Sequence, residues 1–241
     1  MINLKNIKAV LFDSGRVLNG PVSGHWFITP NFWKFVDKEI FDSIDKNRIA
    51  AAFGEADKYI VTQKTMTTKE EEYRCFLEFY NIFSAQLPEL KLNFDVIEKI
   101  AKDLVFNPEK YAFYDDVYNV IPELKNKYRL AIVSDAWPSL LDVYKENNMT
   151  SYFDSIVISS FIGTSKPDRK MYCTALAELG VNPQEAVFVD DSIKNCKGAM
   201  DVGINTILIC RNKGSYIREK VKSMGKGYKV INNLNQLAKM L

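Results

Sequence analysis

Five short stretches of this chain, residues 8–12, 130–134, 155–159, 186–190 and 206–210, are apolar at nearly every position. A strand with one wet face alternates polar and apolar residues. A run that does not alternate needs cover on both faces, as in a parallel sheet flanked by helices. Helix-spaced segments lie between the last four runs, at residues 138–147, 170–179 and 193–202. Gly180 and Gly203 close the second and third of these, where a left-handed C-cap favours glycine. Alternation of strand and helix predicts an α/β fold.

Residues 20–113 break the alternation. They hold no convincing strand and read as four helices at 31–44, 46–61, 68–85 and 94–105. The third begins with a capping box of Thr67 and Glu70 and carries Tyr73, Phe76, Leu77 and Tyr80 at helical spacing. Asn93 caps the fourth, with Ile97, Ile100, Ala101 and Leu104 as its stripe. Such stripes form the core of a helical bundle. The expected organisation is a core of residues 1–19 and 114–241, interrupted after its first strand by a helical insert, 20–113.

Composition narrows the function classes. With 241 residues, 47% of them hydrophobic, the chain can bury an ordinary core and is no disordered tail or disulfide scaffold. A net charge of +2 gives no field for nucleic acid. Seven of the basic side chains crowd residues 211–229 and read as a solvated face. Four cysteines without a C-x-x-C pair read as reduced thiols. Residues 1–8 lack a signal-peptide core and no run of membrane-spanning length occurs, so a cytoplasmic protein without a membrane partner is expected. Oligomeric state has no signature.

Ligands of open parallel sheets bind beyond the carboxyl ends of the strands. The first run leads into Asp13, the second ends at Ser134 and is followed by Asp135, and the fourth ends in Asp190-Asp191. Lys166-Pro167 stands in the loop before the fourth. Singly, each has a plain structural role as a cap, a turn or a surface lysine. Asp115-Asp116, which follows no apolar run, reads as such a cap. Together, three acids, a hydroxyl and an ammonium at one sheet edge suit phosphoryl transfer. Clustered carboxylates call for a hard divalent cation, magnesium. The metal, Lys166 and donors near Ser134 would offset the repulsion between a carboxylate nucleophile, Asp13, and a phosphate.

At these positions the sequence resembles the haloacid dehalogenase-like hydrolase superfamily. The matching residues are Phe12-Asp13-Ser14-Gly15-Arg16-Val17-Leu18, then Ser134, then Gly163-Thr164-Ser165-Lys166-Pro167-Asp168 with Tyr172, and finally Val189-Asp190-Asp191-Ser192 with Asn195, Gly198 and Ala199. The resemblance implies a Rossmann-like core with an inserted helical cap and a phospho-aspartyl intermediate on Asp13. Ser134 would bind the phosphoryl group and Lys166 would balance charge. Magnesium would be held by Asp13, the Gly15 carbonyl, Asp191 and Asp190. Asp135 and Arg16 are candidates for substrate contact.

Gly15 departs from the family pattern, whose phosphatases usually place an acid/base aspartate there. A branch reading Asp-x-Gly-x-Val, which this chain resembles, nevertheless includes sugar-phosphate phosphatases. The leading expectation is therefore a magnesium-dependent phosphatase acting on a small phosphorylated metabolite. Its rivals are a catalytically weak protein that binds a phosphorylated ligand or a partner, and a metal-independent dehalogenase. The lone histidine, His25, reads as a linker residue packed on aromatics rather than a replacement acid.

Overall fold

The computed structural model describes residues 4–241, so the reading of residues 1–8 falls partly outside it. Its strands are β1 (Ala9–Phe12), β2 (Asn19–Pro21), β3 (Tyr111–Phe113), β4 (Arg129–Ser134), β5 (Ser155–Ile158), β6 (Ala186–Asp190), β7 (Asn205–Ile209) and β8 (Lys229–Ile231). Six of them form one sheet in the order β5-β4-β1-β6-β7-β8. Every pairing in it is parallel. The five apolar runs are its strands, to within a residue at each end, and β8 is an added edge. Helices Arg169–Leu179 and Ile193–Val202 pack on its strands, and Gly180 and Gly203 take the left-handed caps that end them. This is the Rossmann-type α/β fold expected.

Chain contacts divide the protein into two compact units. The sheet unit comprises residues 1–20, 113–136 and 147–241, and the helical unit comprises 21–112 and 137–146. The assignment of 137–146 differs from the sequence reading, which keeps that segment with the sheet. Within the helical unit the Trp137 ring lies 4.9 Å from Phe76, edge on, and Ser139 is bonded to Glu72. The strands β2 and β3 stand where the chain passes between the units, so the interval 20–113 is not free of strand at its ends.

Residues 21–112 of the helical unit hold five α-helices rather than four. The segment 31–44 breaks into Phe32–Phe35 and Lys38–Ser43, because the Asp37 carboxylate caps the second helix by accepting the N–H groups of Glu39 and Ile40. Lys46–Ile60, Lys69–Gln86 and Phe94–Phe106 follow. The capping box sits one residue later than expected, on Thr68 and Glu71. Asn93 caps the last helix through Val96 N–H. Phe76, Phe79, Tyr80 and Phe83 are fully buried with Phe53, Ile97, Ile100 and Leu104 around them, while Tyr73 and Leu77 pack at the margin. His25 rests 4.5 Å from the Phe53 ring, its Nδ1 accepts Phe27 N–H, and burial lowers its pKa, as expected of a packed histidine.

Candidate active site

The chain steps from β1 to β4 and β5 on one side of the sheet and returns to β6 on the other, so the ends of β1, β4 and β6 meet at a topological switch point. Phe12 stands in register with Ile132 on one side and Val189 on the other. Asp13, the end of β4 with Ser134, and Asp190 therefore arrive at one level of the sheet edge. The sequence-predicted residues of three separate segments are thereby neighbours.

Lys166 organises the group. Its Nζ lies 2.7 Å from Asp13 Oδ1 and 2.9 Å from Asp190 Oδ2, with 1% of the side chain exposed. Its backbone N–H donates to Asp135 Oδ1 at 2.9 Å. Asp135, expected at the substrate, is thus engaged in holding the lysine loop. Asp13 Oδ1 also accepts Ser14 N–H at 2.8 Å. Both donors fall on Oδ1, and Oδ2 takes neither of these bonds.

The loop after Asp13 winds around a single carbonyl. Ser14 C=O accepts the N–H groups of Leu18 at 2.8 Å and Asn19 at 3.1 Å, and Asn19 Nδ2 donates to Ser14 Oγ. Arg16 takes a left-handed conformation, φ 59°, and projects its guanidinium outward, 64% exposed and 3.8 Å from Asp191. A contact so exposed holds the arginine loosely. Gly15, between them, is not among the glycines with positive φ.

Asp13, Asp190 and Asp191 each offer a carboxylate oxygen, all within 4.8 Å of one another. Burial pushes the Asp13 carboxyl up to about 7; Lys166 pulls against that, while Asp190 and Asp191 add to it. Burial and Asp190 likewise raise Asp191. Lys166 is raised as well, which favours its charged form: burial would lower it, but Asp13, Asp190 and Asp135 outweigh that. One ammonium faces three carboxylates, and a hard divalent cation with oxygen ligands fits that imbalance. Asp190 is the least available of the three. Its Oδ1 already accepts Ser192 N–H at 2.7 Å, and its Oδ2 accepts Lys166 and Asn195. Asp13 Oδ2 and Asp191 are the open donors.

Two supports of the site escape a reading of the sequence. Arg211, placed there in a solvated basic face, donates from Nε and Nη2 to the Val17 carbonyl at 3.1 and 2.6 Å. It pairs with Asp116 at 3.0 Å and lies 3.8 Å from the Tyr114 ring centroid. Asp116, read as a helix cap, instead joins Arg211 and Leu234 N–H and makes no cap bond for helix Asp115–Lys125. The pair buttresses the loop after Asp13 from the sheet unit's own C-terminal part. The remaining lysines of 213–229 are exposed, as expected.

A parallel sheet with this strand order, carrying an acid at the end of its first strand and a lysine and paired acids at the switch point, defines a hydrolase of one architecture. The family model described as haloacid dehalogenase-like hydrolase matches residues 28–209, and the chain belongs to that family and is an enzyme. It is 29% identical over 167 residues, 62% of this chain and 70% of the other, to a glyceraldehyde 3-phosphate phosphatase of Methanopyrus kandleri. Two solved structures share the fold. The HAD-hydrolase YfnB of Bacillus subtilis, bound to magnesium, superposes with a TM-score of 0.67 at 16% identity, covering 98% of this chain and 99% of its own. The L-2-haloacid dehalogenase of Xanthobacter autotrophicus, with chloropropionic acid covalently bound, gives 0.63 at 17%, covering 97% and 98%.

Proposed function

We propose that the protein is a magnesium-dependent phosphatase that hydrolyses a small organic phosphomonoester, a sugar phosphate or similar, through a phospho-aspartyl intermediate on Asp13. The observation that carries this reading is the Lys166 ammonium shared between Asp13 Oδ1 and buried Asp190, with Asp191 within ligand distance of both acids. Attack on carbon, as in a dehalogenase, has no use for a cation site. The phosphatase named among the relatives supports the same choice.

In this reading Asp13 Oδ2 attacks phosphorus, the ester oxygen leaves with the bonding pair, and a water then cleaves the acyl phosphate to return the carboxylate and release phosphate. Lys166 favours the ionised form of Asp13, orients it and offsets charge on the phosphoryl oxygens, while Ser134 donates to them from the end of β4. Magnesium held by Asp13, Asp191 and the Gly15 carbonyl would supply further charge neutralisation at the phosphoryl group. Asp190 holds Lys166 and Asn195 in place. Among the described residues no helix is long and apolar enough to cross a membrane, and the four free cysteines suit the proposed cytoplasmic setting.

The test is phosphate release from 4-nitrophenyl phosphate by purified protein with magnesium, and again after chelation. Turnover that stops on chelation and returns with magnesium supports the proposal. Turnover indifferent to the metal removes the magnesium role. No release from any phosphomonoester in a metabolite panel would favour the weak binding protein that Gly15 suggests.

A further inference from the structure

The residues after Ser14 fold into a closed turn. Besides the N–H groups of Leu18 and Asn19, the Ser14 carbonyl takes that of Val17 at 3.3 Å, and Arg16 N–H donates to the Asn19 carbonyl at 2.6 Å. Gly15 itself forms a bridge with Asn19. Bonds confined to residues 14–19 set the shape of this turn, whereas its place against the sheet depends on bonds that leave it. At its start Asp13 N–H donates to the Val189 carbonyl at 2.9 Å. On the far side the Leu18 carbonyl accepts Tyr114 N–H at 3.0 Å, and the Val17 carbonyl accepts both Nε and Nη2 of Arg211. Gly15 lies between these anchorages.

Arg211, two residues past β7, is in turn held in place. Its Nη1 donates to Asp116 Oδ2 at 3.2 Å and its Nη2 to Oδ1 at 3.0 Å, and its guanidinium covers the Tyr114 ring. Asp116 Oδ2 also accepts Leu234 N–H at 2.7 Å. The two side chains are 18% and 9% exposed, so water screens this pair far less than it screens the contact of Arg16 with Asp191. A planar fork serves the carbonyl and the carboxylate at once, which a lysine ammonium cannot. Val17 and Leu18 are buried as well, but apolar burial has no direction, and the bonds to their carbonyls orient the turn. The turn, Tyr114, Asp116, Arg211 and Leu234 all belong to the sheet unit.

We propose that Arg211, oriented by Asp116, is a positioning residue for the metal site: by gripping the Val17 carbonyl it sets where the turn presents the Gly15 carbonyl alongside Asp13 and Asp191. The inference rests on the reading of the Gly15 carbonyl as a magnesium ligand. Removing a group that orients a metal ligand from behind typically costs about 10- to 100-fold in metal affinity or activity.

Titration calorimetry with magnesium chloride on purified Arg211→Met tests it. The expected result is a Kd for magnesium weakened about tenfold or more. Phosphate release from 4-nitrophenyl phosphate should need correspondingly more magnesium for half-saturation, while the rate at saturating magnesium falls less. Arg211→Lys, which keeps a cation beside Asp116 without the fork, should shift the same way by a smaller factor. A solely structural arginine would lower Tm and leave the magnesium Kd where it is. Asp116→Asn keeps an oxygen for Leu234 N–H but loses an acceptor for the guanidinium, so it should also weaken magnesium, and it decides the question should Arg211→Met fail to fold. Wild-type magnesium affinity in a folded variant of either position overturns the proposal. A wild-type protein that binds no magnesium instead overturns the reading of the site on which it rests.

Discussion

Gly198 and Pro167 touch with no room between them: a Cβ on Gly198 would lie 2.5 Å from Pro167 Cβ and 2.8 Å from the Pro167 carbonyl oxygen. Helix Ile193–Val202 thus presses against the residue that follows Lys166, and Tyr172 O–H donates across to the Asn195 carbonyl at 2.8 Å on the same helix. Gly198→Ala should push the lysine loop away and lengthen the Lys166 to Asp13 contact. Overpacking of this kind costs about 1–3 kcal/mol. The expected outcome is a folded protein, detected by thermal melting, with kcat on an aryl phosphate reduced about tenfold or more. Unchanged kcat would show that the loop yields without moving Lys166.

Lys166 and Asp13 should separate in their effects on stability. Lys166→Met leaves two buried carboxylates facing each other without their ammonium, a loss of about 3–5 kcal/mol for a broken buried pair. Asp13→Asn removes one of three clustered carboxylates and keeps the side chain's shape. It should abolish phosphate release yet melt no lower than wild type in the absence of magnesium. Melting curves and steady-state assays on both variants check this, and turnover by Asp13→Asn would take the nucleophile role from Asp13.

Within the helical unit, Asp103 ties together the two ends of its helical run. Its Oδ2 accepts Asn31 N–H at 2.8 Å, and its Oδ1 accepts the side-chain amides of Asn31 at 2.6 Å and Asn107 at 2.8 Å. Burial alone would raise this carboxyl, but the hydrogen bonds outweigh it and hold it below its ordinary 3.8. The folded state therefore binds this proton more weakly than the unfolded chain does. The resulting stabilisation is present above 3.8 and is lost as the pH falls through the folded value. Asp103→Asn should cost about 1–3 kcal/mol near neutral pH, and the gap to wild type in urea unfolding should narrow below pH 3.8.

The strands and the strand-end acids were legible because burial on both faces leaves uninterrupted apolar runs, and because Asp13, Ser134 and Asp190 occupy the ends of those runs. Gly180 and Gly203 marked helix ends for a like reason: a left-handed residue leaves its signature in the sequence. Arg211 and Asp116 were not legible. A basic residue in a lysine-rich segment carries no mark of the carbonyl it reaches 194 positions away. Glu72 did leave a trace. It stands on the same helix face as Phe76, Phe79, Tyr80 and Phe83, spaced 72, 76, 79, 80 and 83, where a charge must find a buried partner. That partner, Ser139, follows a proline in a segment whose apolar pattern suits either unit, so its packing in the helical unit became visible only in three dimensions.

Gly15 makes the chemistry itself testable. No side chain two residues after Asp13 can protonate a leaving oxygen, and proton transfer of that kind typically contributes about 10²- to 10⁴-fold. Expulsion of a poor leaving group must then proceed with little assistance. The rate should fall steeply as the leaving group's pKa rises, with aryl and anomeric sugar phosphates ahead of simple alkyl phosphates. Single-turnover measurements on phosphate monoesters that differ only in leaving-group pKa check this directly. Gly15 is not among the glycines with positive φ, so an L residue there is spared left-handed strain. Gly15→Asp is accordingly expected to flatten the dependence by raising the rates of the slow alkyl esters and leaving the activated ones nearly unchanged. A flat series in the wild-type protein would mean that another group, delivered from elsewhere in the chain, supplies the proton.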